Sequence, residues 1–197
     1  MLTLAFDTAT SVATSALLRD DEVVAERESR AVRVLADAEA LLERARAEPR
    51  ELGRLIVGTG PGSFTGVRIG LAAARTLAFA LELPLAGVST LDALAAGAPG
   101  ALPIVDAGRR EVFTLLDGAP VVTAPAELQL EPGTTCVGDG AVRYREVLES
   151  LGAEIPPRES ALHVPRARFH AELAREFLDP DTVEPIYLRL PDAEQAR

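Results

Sequence analysis

Short runs of strand length, rich in apolar residues and bounded by polar turns, cover Leu2–Phe6, Val12–Leu18 and Val23–Glu28. These stretches predict three strands joined by polar turns at Asp7-Thr8-Ala9-Thr10 and Arg19-Asp20-Asp21-Glu22. The pattern then changes: Val34, Leu35, Ala38, Leu41, Leu42 and Ala45 fall on one helical face, and Pro49 ends the segment. A strand follows at Leu55–Gly58, then a glycine-dense turn and an Ala-rich helix running to about Leu81. Leu85–Val88 predicts a further strand, and Ser89 caps a short helix over Thr90–Ala96 with Asp92 in its first turn.

After the Gly97–Pro103 punctuation the opening pattern recurs. Ile104–Gly108 leads through a turn to a strand over Glu111–Leu116, an Asp117-Gly118 turn and a strand around Val121 and Val122. Aligning Asp106 with Asp7 repeats strand, acidic turn, strand, tight turn and strand in the same order, the mark of an internal duplication. Later elements are a strand at Thr135–Gly138, helices over Ala141–Leu151 and Ala167–Phe177, and an extended Glu184–Arg189. Residues after Pro191 are expected to fray.

The run Gly58–Arg75 carries the most chemistry. A glycine-rich strand-to-helix turn suits either an anion or a close backbone approach. It has no Gly-Lys-Ser/Thr ending, and its glycines do not fall at Gly-x-Gly-x-x-Gly spacing, so both nucleotide fingerprints fail. Instead Gly62, Gly66, Gly70, Ala74 and Ala78 recur every four residues, a stripe of minimal side chains on one helix face. Such a stripe serves either packing on the protein's own sheet or docking of a partner helix. Phe64, Val67, Leu71 and Leu77 would supply apolar anchors beside it.

Composition narrows the choices. The 197 residues carry a formal net charge of −10, which argues against a protein gripping nucleic acid by itself. Arginines pair locally at Arg109/Arg110, Arg143/Arg145 and Arg166/Arg168, each readable as a solvated face. Cys136 is the single cysteine and reads as a small buried hydrophobe. No leader pattern or uninterrupted spanning segment is evident, so a soluble, cytoplasmic protein without membrane contact is expected. His163 and His170 are the only histidines, and Pro165 between them makes one shared helix unfavourable; they read as unrelated surface or capping groups.

The order of elements resembles the actin/hexokinase/Hsp70 (ASKHA) superfamily, an α/β fold duplicated into two lobes. Phe6-Asp-Thr-Ala-Thr10, Gly60–Leu71, Val105–Val112 and Pro185–Arg189 resemble the bacterial TsaB (YeaZ) family more narrowly. The resemblance implies a first lobe over 1–99 with partner-docking helices, a shortened second lobe over 103–191 whose C-terminal helix could pack back on the first, and a tail at 192–197. It implies a required, non-catalytic partner of the metal-bearing transferase TsaD in making threonylcarbamoyladenosine (t6A) in tRNA, with the ATPase TsaE joining. The chain would form a homodimer when alone and reach tRNA only through the complex.

On that basis the expected partner interface is Gly62, Phe64, Gly66, Val67, Gly70, Ala74 and Ala78 with Leu35, Ala38 and Leu42. Asp7, Thr8, Thr10 and Asp106 are expected as vestigial phosphate loops, with no cofactor of its own and ATP or ADP only within the complex. No catalytic or metal-binding residue is expected, since the first-lobe helices hold no histidine pair. The chain departs from the family in reading Val34-Leu-Ala-Asp-Ala-Glu39 where a His-Ser-Glu-like start is common, and in its short second lobe. The alternative is a small-molecule phosphotransferase using Asp7 and Asp106; Gly138-Asp-Gly140 is a poor adenosine loop for it. A metallopeptidase lacks ligands.

Overall fold

Two sheets built to one plan organise the chain. The structure, a computed structural model, describes residues 1–188. In the first lobe β1 (Leu2–Asp7), β2 (Ala13–Arg19), β3 (Glu22–Ser29), β4 (Leu52–Gly58) and β5 (Leu85–Val88) form a sheet of order β3-β2-β1-β4-β5. The hairpins are antiparallel, whereas β4 and β5 run parallel to β1. In the second lobe β6 (Leu102–Gly108), β7 (Glu111–Leu116), β8 (Ala119–Thr123) and β9 (Cys136–Val137) repeat the order as β8-β7-β6-β9, with β9 parallel to β6. The fold is the duplicated ASKHA α/β architecture with a reduced second lobe.

Both faces of the first sheet are covered, so its inner strands are buried at nearly every position. Leu2, Leu4 and Phe6 of β1 point with Leu55 and Val57 of β4 into one core. Helices α1 (Val34–Ala45) and α2 (Phe64–Leu81) cover that core through Val34, Ala38, Leu41 and Leu42 and through Val67, Leu71, Ala74 and Ala78. Ala5, Ala16, Leu18 and Ile56 point to the opposite face, where α6 (Ala167–Leu173) packs with Ala167 and Ala171. A helix from the second half of the chain thus completes the first lobe. The short α3 (Thr90–Gly97) lies between the lobes: Leu91 and Leu94 share a core with Val105, Phe113 and Val137.

Two helices differ from the sequence expectation. The segment 141–151 is broken at Tyr144 (φ −106°, ψ 25°) into α4 (Asp139–Arg143) and α5 (Arg145–Ser150). Helix α6 ends at Leu173, four residues early, because Ala174 is already extended. The expected tail at 192–197, the end of the second lobe at 191, and Arg189 lie outside the described residues.

Cys136 is fully buried, and burial pushes its thiol up to about 11. Thiol alkylation of the native protein at pH 8 is therefore expected to be slower than in the unfolded chain by orders of magnitude. Equal rates, followed by mass, would refute this burial.

Candidate functional site

The small-residue stripe faces inward, which corrects its reading as a docking face. Ser63 caps α2 by accepting from the Gly66 amide, so the helix begins at Phe64 and Gly62 lies in the preceding loop. A Cβ built on Gly62 would stand 2.3 Å from the Ala9 carbonyl oxygen, and one on Gly66 would stand 2.1 Å from that of Thr8. On Gly70 it would meet Thr8 Oγ1 at 2.3 Å. The glycines therefore let α2 rest directly on the acidic turn after β1. Ala74 and Ala78 continue this contact into the core, and Val67, Ala38 and Leu42 are buried there as well. Of the expected interface residues, Leu35 is 52% exposed and Phe64 is half-buried.

The four residues expected as phosphate loops separate into two pairs. Asp7 and Thr8 are sealed in the interior. Thr8 donates its hydroxyl to the Gly66 carbonyl at 2.7 Å. Asp7 Oδ1 accepts the Ala9 amide at 2.6 Å, while Oδ2 accepts the Thr90 hydroxyl at 2.6 Å and His170 Nε2 at 2.7 Å. His170 Nδ1 faces the Arg166 carbonyl at 3.3 Å, so each ring nitrogen faces an acceptor. Burial alone would raise the Asp7 carboxyl. The His170 charge, with hydrogen bonds from His170, Thr90 and Ala9, outweighs it and holds Asp7 below its ordinary value.

Thr10 and Asp106 instead line one interlobe cleft of about 740 Å³, together with Ser11, Glu28, Asp139, Arg143 and Arg158. Asp106 Oδ1 accepts the Gly108 amide at 3.0 Å, the same short turn that Asp7 makes with Ala9, and Oδ2 is bound by Arg143. Asp139 accepts the Asp106 amide at 3.0 Å and shares the cleft wall with Ser11 of the first lobe. Burial, reinforced by the nearby Asp106 charge, raises its carboxyl above the ordinary value. In the second lobe Gly138 and Gly140 lie against the β6 backbone as Gly62 and Gly66 lie against the β1 turn. The duplication extends to the packing beneath both acidic turns.

The histidines correct their surface reading. Both are buried. His163 Nδ1 accepts the Gly138 amide at 3.1 Å, and Nε2 faces the Pro156 carbonyl at 3.1 Å. No periodic signal marked His170, because its partners Asp7 and Thr90 lie far away along the chain. Asp139 was visible within Gly138-Asp-Gly140, but its place in the interlobe cleft was not. The arginine pairs, read as solvated faces, are largely engaged within the chain. Arg166 and Arg168 reach Glu26, and Arg145 reaches Glu149 and the Ile155 and Pro156 carbonyls.

Both acidic turns are engaged within the chain: Asp7 receives three donors in the interior, and Asp106 is bound by Arg143. Among the described residues no group of three or more His, Cys, Asp or Glu side chains is placed to hold a metal ion.

The family model described as TsaD, tRNA N6-adenosine threonylcarbamoyltransferase, matches residues 23–140. The tRNA threonylcarbamoyladenosine biosynthesis protein TsaB of Bacillus subtilis is 33% identical, over 98% of this chain and 96% of its own length. The solved YeaZ structure from Pseudomonas aeruginosa superposes with a TM-score of 0.79 at 27% identity, covering 95% of this chain and 99% of that one. The component A of (R)-2-hydroxyglutaryl-CoA dehydratase from Acidaminococcus fermentans, at 14% identity, covers 87% of this chain and 98% of that one with a TM-score of 0.52, and shares the fold. With one sheet plan in both lobes, α2 seated on the first acidic turn and relatives matched along nearly its whole length, the chain belongs to the TsaB (YeaZ) family of tRNA threonylcarbamoyladenosine biosynthesis proteins.

Proposed function

We propose that the chain is a non-catalytic, activating subunit of the bacterial t6A synthesis assembly. It docks a metal-bearing transferase of the TsaD type, supports a TsaE-like ATPase, and pairs with a second copy when alone. Any nucleotide belongs to the assembled complex, and tRNA is reached chiefly through the partners.

The observation that carries this reading is the outward side of the helical layer. Phe79 of α2 is 85% exposed, Leu35 of α1 is 52% exposed, and Val32, in the 3-10 turn Ala31–Arg33 ahead of α1, is 78% exposed. These apolar side chains stand exposed towards the two ends of the helical layer, Leu35 and Val32 at the N-terminal end of α1 and Phe79 near the C-terminal end of α2, and we read the outward side they share as the interaction surface. The docking face is thus the side of α2 opposite the glycine stripe. The sealing of Asp7 supports the non-catalytic part of the reading and disfavours the phosphotransferase alternative.

Leu35→Arg and Phe79→Arg are expected to change folding stability by no more than about 0.5 kcal/mol, because neither side chain fills the core. Each should weaken co-purification of the TsaD-like partner about tenfold or more, the effect of losing an interface hot spot. Together they should remove t6A from digested tRNA in cells relying on this copy. Undiminished partner binding in both variants would overturn docking on this face.

A further inference from the structure

A second surface feature lies at the N-terminal end of the same helices. Arg68 of α2 sets its guanidinium 3.8 Å from the centroid of the Phe64 ring, and Phe64 packs on Tyr187 with centroids 5.3 Å apart at 38°. Arg68 Nε donates to the Tyr187 hydroxyl at 3.3 Å, fixing the stack. Tyr187 reaches this position because the chain after α6 is strapped to the first lobe. The Ile186 amide donates to the Thr59 carbonyl at 2.9 Å, and Arg75 donates to the Val183 carbonyl at 2.7 Å. The stack is preorganised, yet Tyr187 remains 44% exposed and Arg68 is exposed.

Two further arginines lie at the same end of the lobe. Helices α1 and α2 both return antiparallel to β1, so their N-terminal ends share one end of the lobe, and the 3-10 turn Ala31–Arg33 packs against α2. Arg30 precedes that turn and Arg33 ends it; both are exposed and make no side-chain ion pair among the described residues. Helix α2 contains no carboxylate in its 18 residues. The neighbouring acids are mostly engaged: Asp37 is buried and bound by Arg27 and Ser29, Glu28 is bound by Arg166, and Glu184 on the strap is exposed. In a chain of net charge −10, this end of the first lobe is a local excess of positive charge beside an aromatic stack.

Unpaired guanidinium groups beside exposed ring and guanidinium planes match unpaired RNA, whose phosphates are neutralised while a splayed base stacks. We infer that Arg30, Arg33, Arg68 and Tyr187 form a contact for a single-stranded RNA loop, within the tRNA-modifying role of the family. Acidic charge elsewhere keeps the isolated protein a weak binder. The patch adjoins the apolar docking face at Val32, so RNA held there would lie along the rim of the assembled complex.

The test uses a fluorescently labelled anticodon stem-loop RNA and the full chain, alone and with its TsaD-like partner, read by anisotropy. Neutralising about three phosphates predicts a slope near −2 for log affinity against log salt, or about a fifteenfold loss between 50 and 200 mM. Arg30→Glu with Arg33→Glu should weaken binding at least about tenfold and flatten that slope. Tyr187→Ala should cost about fivefold or more on the loop, and much less on a fully paired RNA hairpin stem. Circular dichroism of each variant separates lost binding from lost folding. Partner co-purification must survive the double arginine change. If partner binding falls instead, the arginines belong to the protein interface and the inference fails. Stem-loop affinity of the complex that ignores both changes would overturn it equally.

Discussion

Replacing His170 with alanine is expected to cost about 3–5 kcal/mol of folding stability at neutral pH, because it strands the buried Asp7 carboxylate without its imidazole partner. Asp7 is 1% exposed and would keep only the Ala9 amide and the Thr90 hydroxyl as donors. The cavity left by the ring adds to the loss, but a packing defect is nearly independent of pH, so pH tells the two apart. In the wild type the Asp7 carboxyl sits below its ordinary value of 3.8. A depressed carboxyl contributes stability that is fully present above the unfolded value and is lost as pH falls through the lowered folded one. Removing His170 reverses the sign, since burial then dominates and raises the carboxyl. Denaturant melts of wild type and His170→Ala should therefore differ most at neutral pH and converge as pH drops below about 4. Asp7→Asn with His170→Ala should cost less than the sum of the single changes, with a coupling of about 1–3 kcal/mol. A constant gap across pH, or strict additivity, would show that the pair is only packed and not electrostatically coupled.

This pair also marks where the sequence stopped being informative. Apolar runs and periodicity located β1 to β5, α1 and α2 to within a few residues, because each buries a face whose spacing is local to the element. The duplication was legible through the recurrence of Asp7 and Asp106 ahead of matching hairpins. What spacing could not reveal was direction. The stripe Gly62–Ala78 shows that something must approach closely, and only the fold shows that it is the Thr8–Ala9 backbone. The same limit hid His170. Its helix is short, its register is set by packing on Ala5, Ala16 and Ile56, and its acceptor lies 163 residues upstream. The family resemblance supplied the fold, but the small residues it marked for docking face the protein's own turn, because small residues look alike whether they meet a partner or the chain itself.

Substitution at Gly66 decides between those two sides. Alanine favours a helix over glycine by about 1 kcal/mol, so a Gly66→Ala change on an open docking face would stabilise the monomer. Here the added Cβ stands 2.1 Å from the Thr8 carbonyl oxygen, a backbone atom anchored by β1 and by the Thr8 hydroxyl bond to Gly66 itself. Neither side can yield without lifting α2 from the sheet, and overpacking of this kind costs about 1–3 kcal/mol or more. The steric term wins, and Gly66→Ala is expected to destabilise by about 2 kcal/mol net. Gly66→Leu should fail to give a folded monomer at all. Gly70→Ala should be milder, since its 2.3 Å contact is the Thr8 hydroxyl, and the Thr8 Cβ lies 3.5 Å away. Ala72, exposed on the opposite side of α2, should accept leucine within about 0.5 kcal/mol. Urea melts of the four variants give the ranking directly. A Gly66→Ala protein as stable as the wild type, but unable to bind its partner, would return the stripe to the interface.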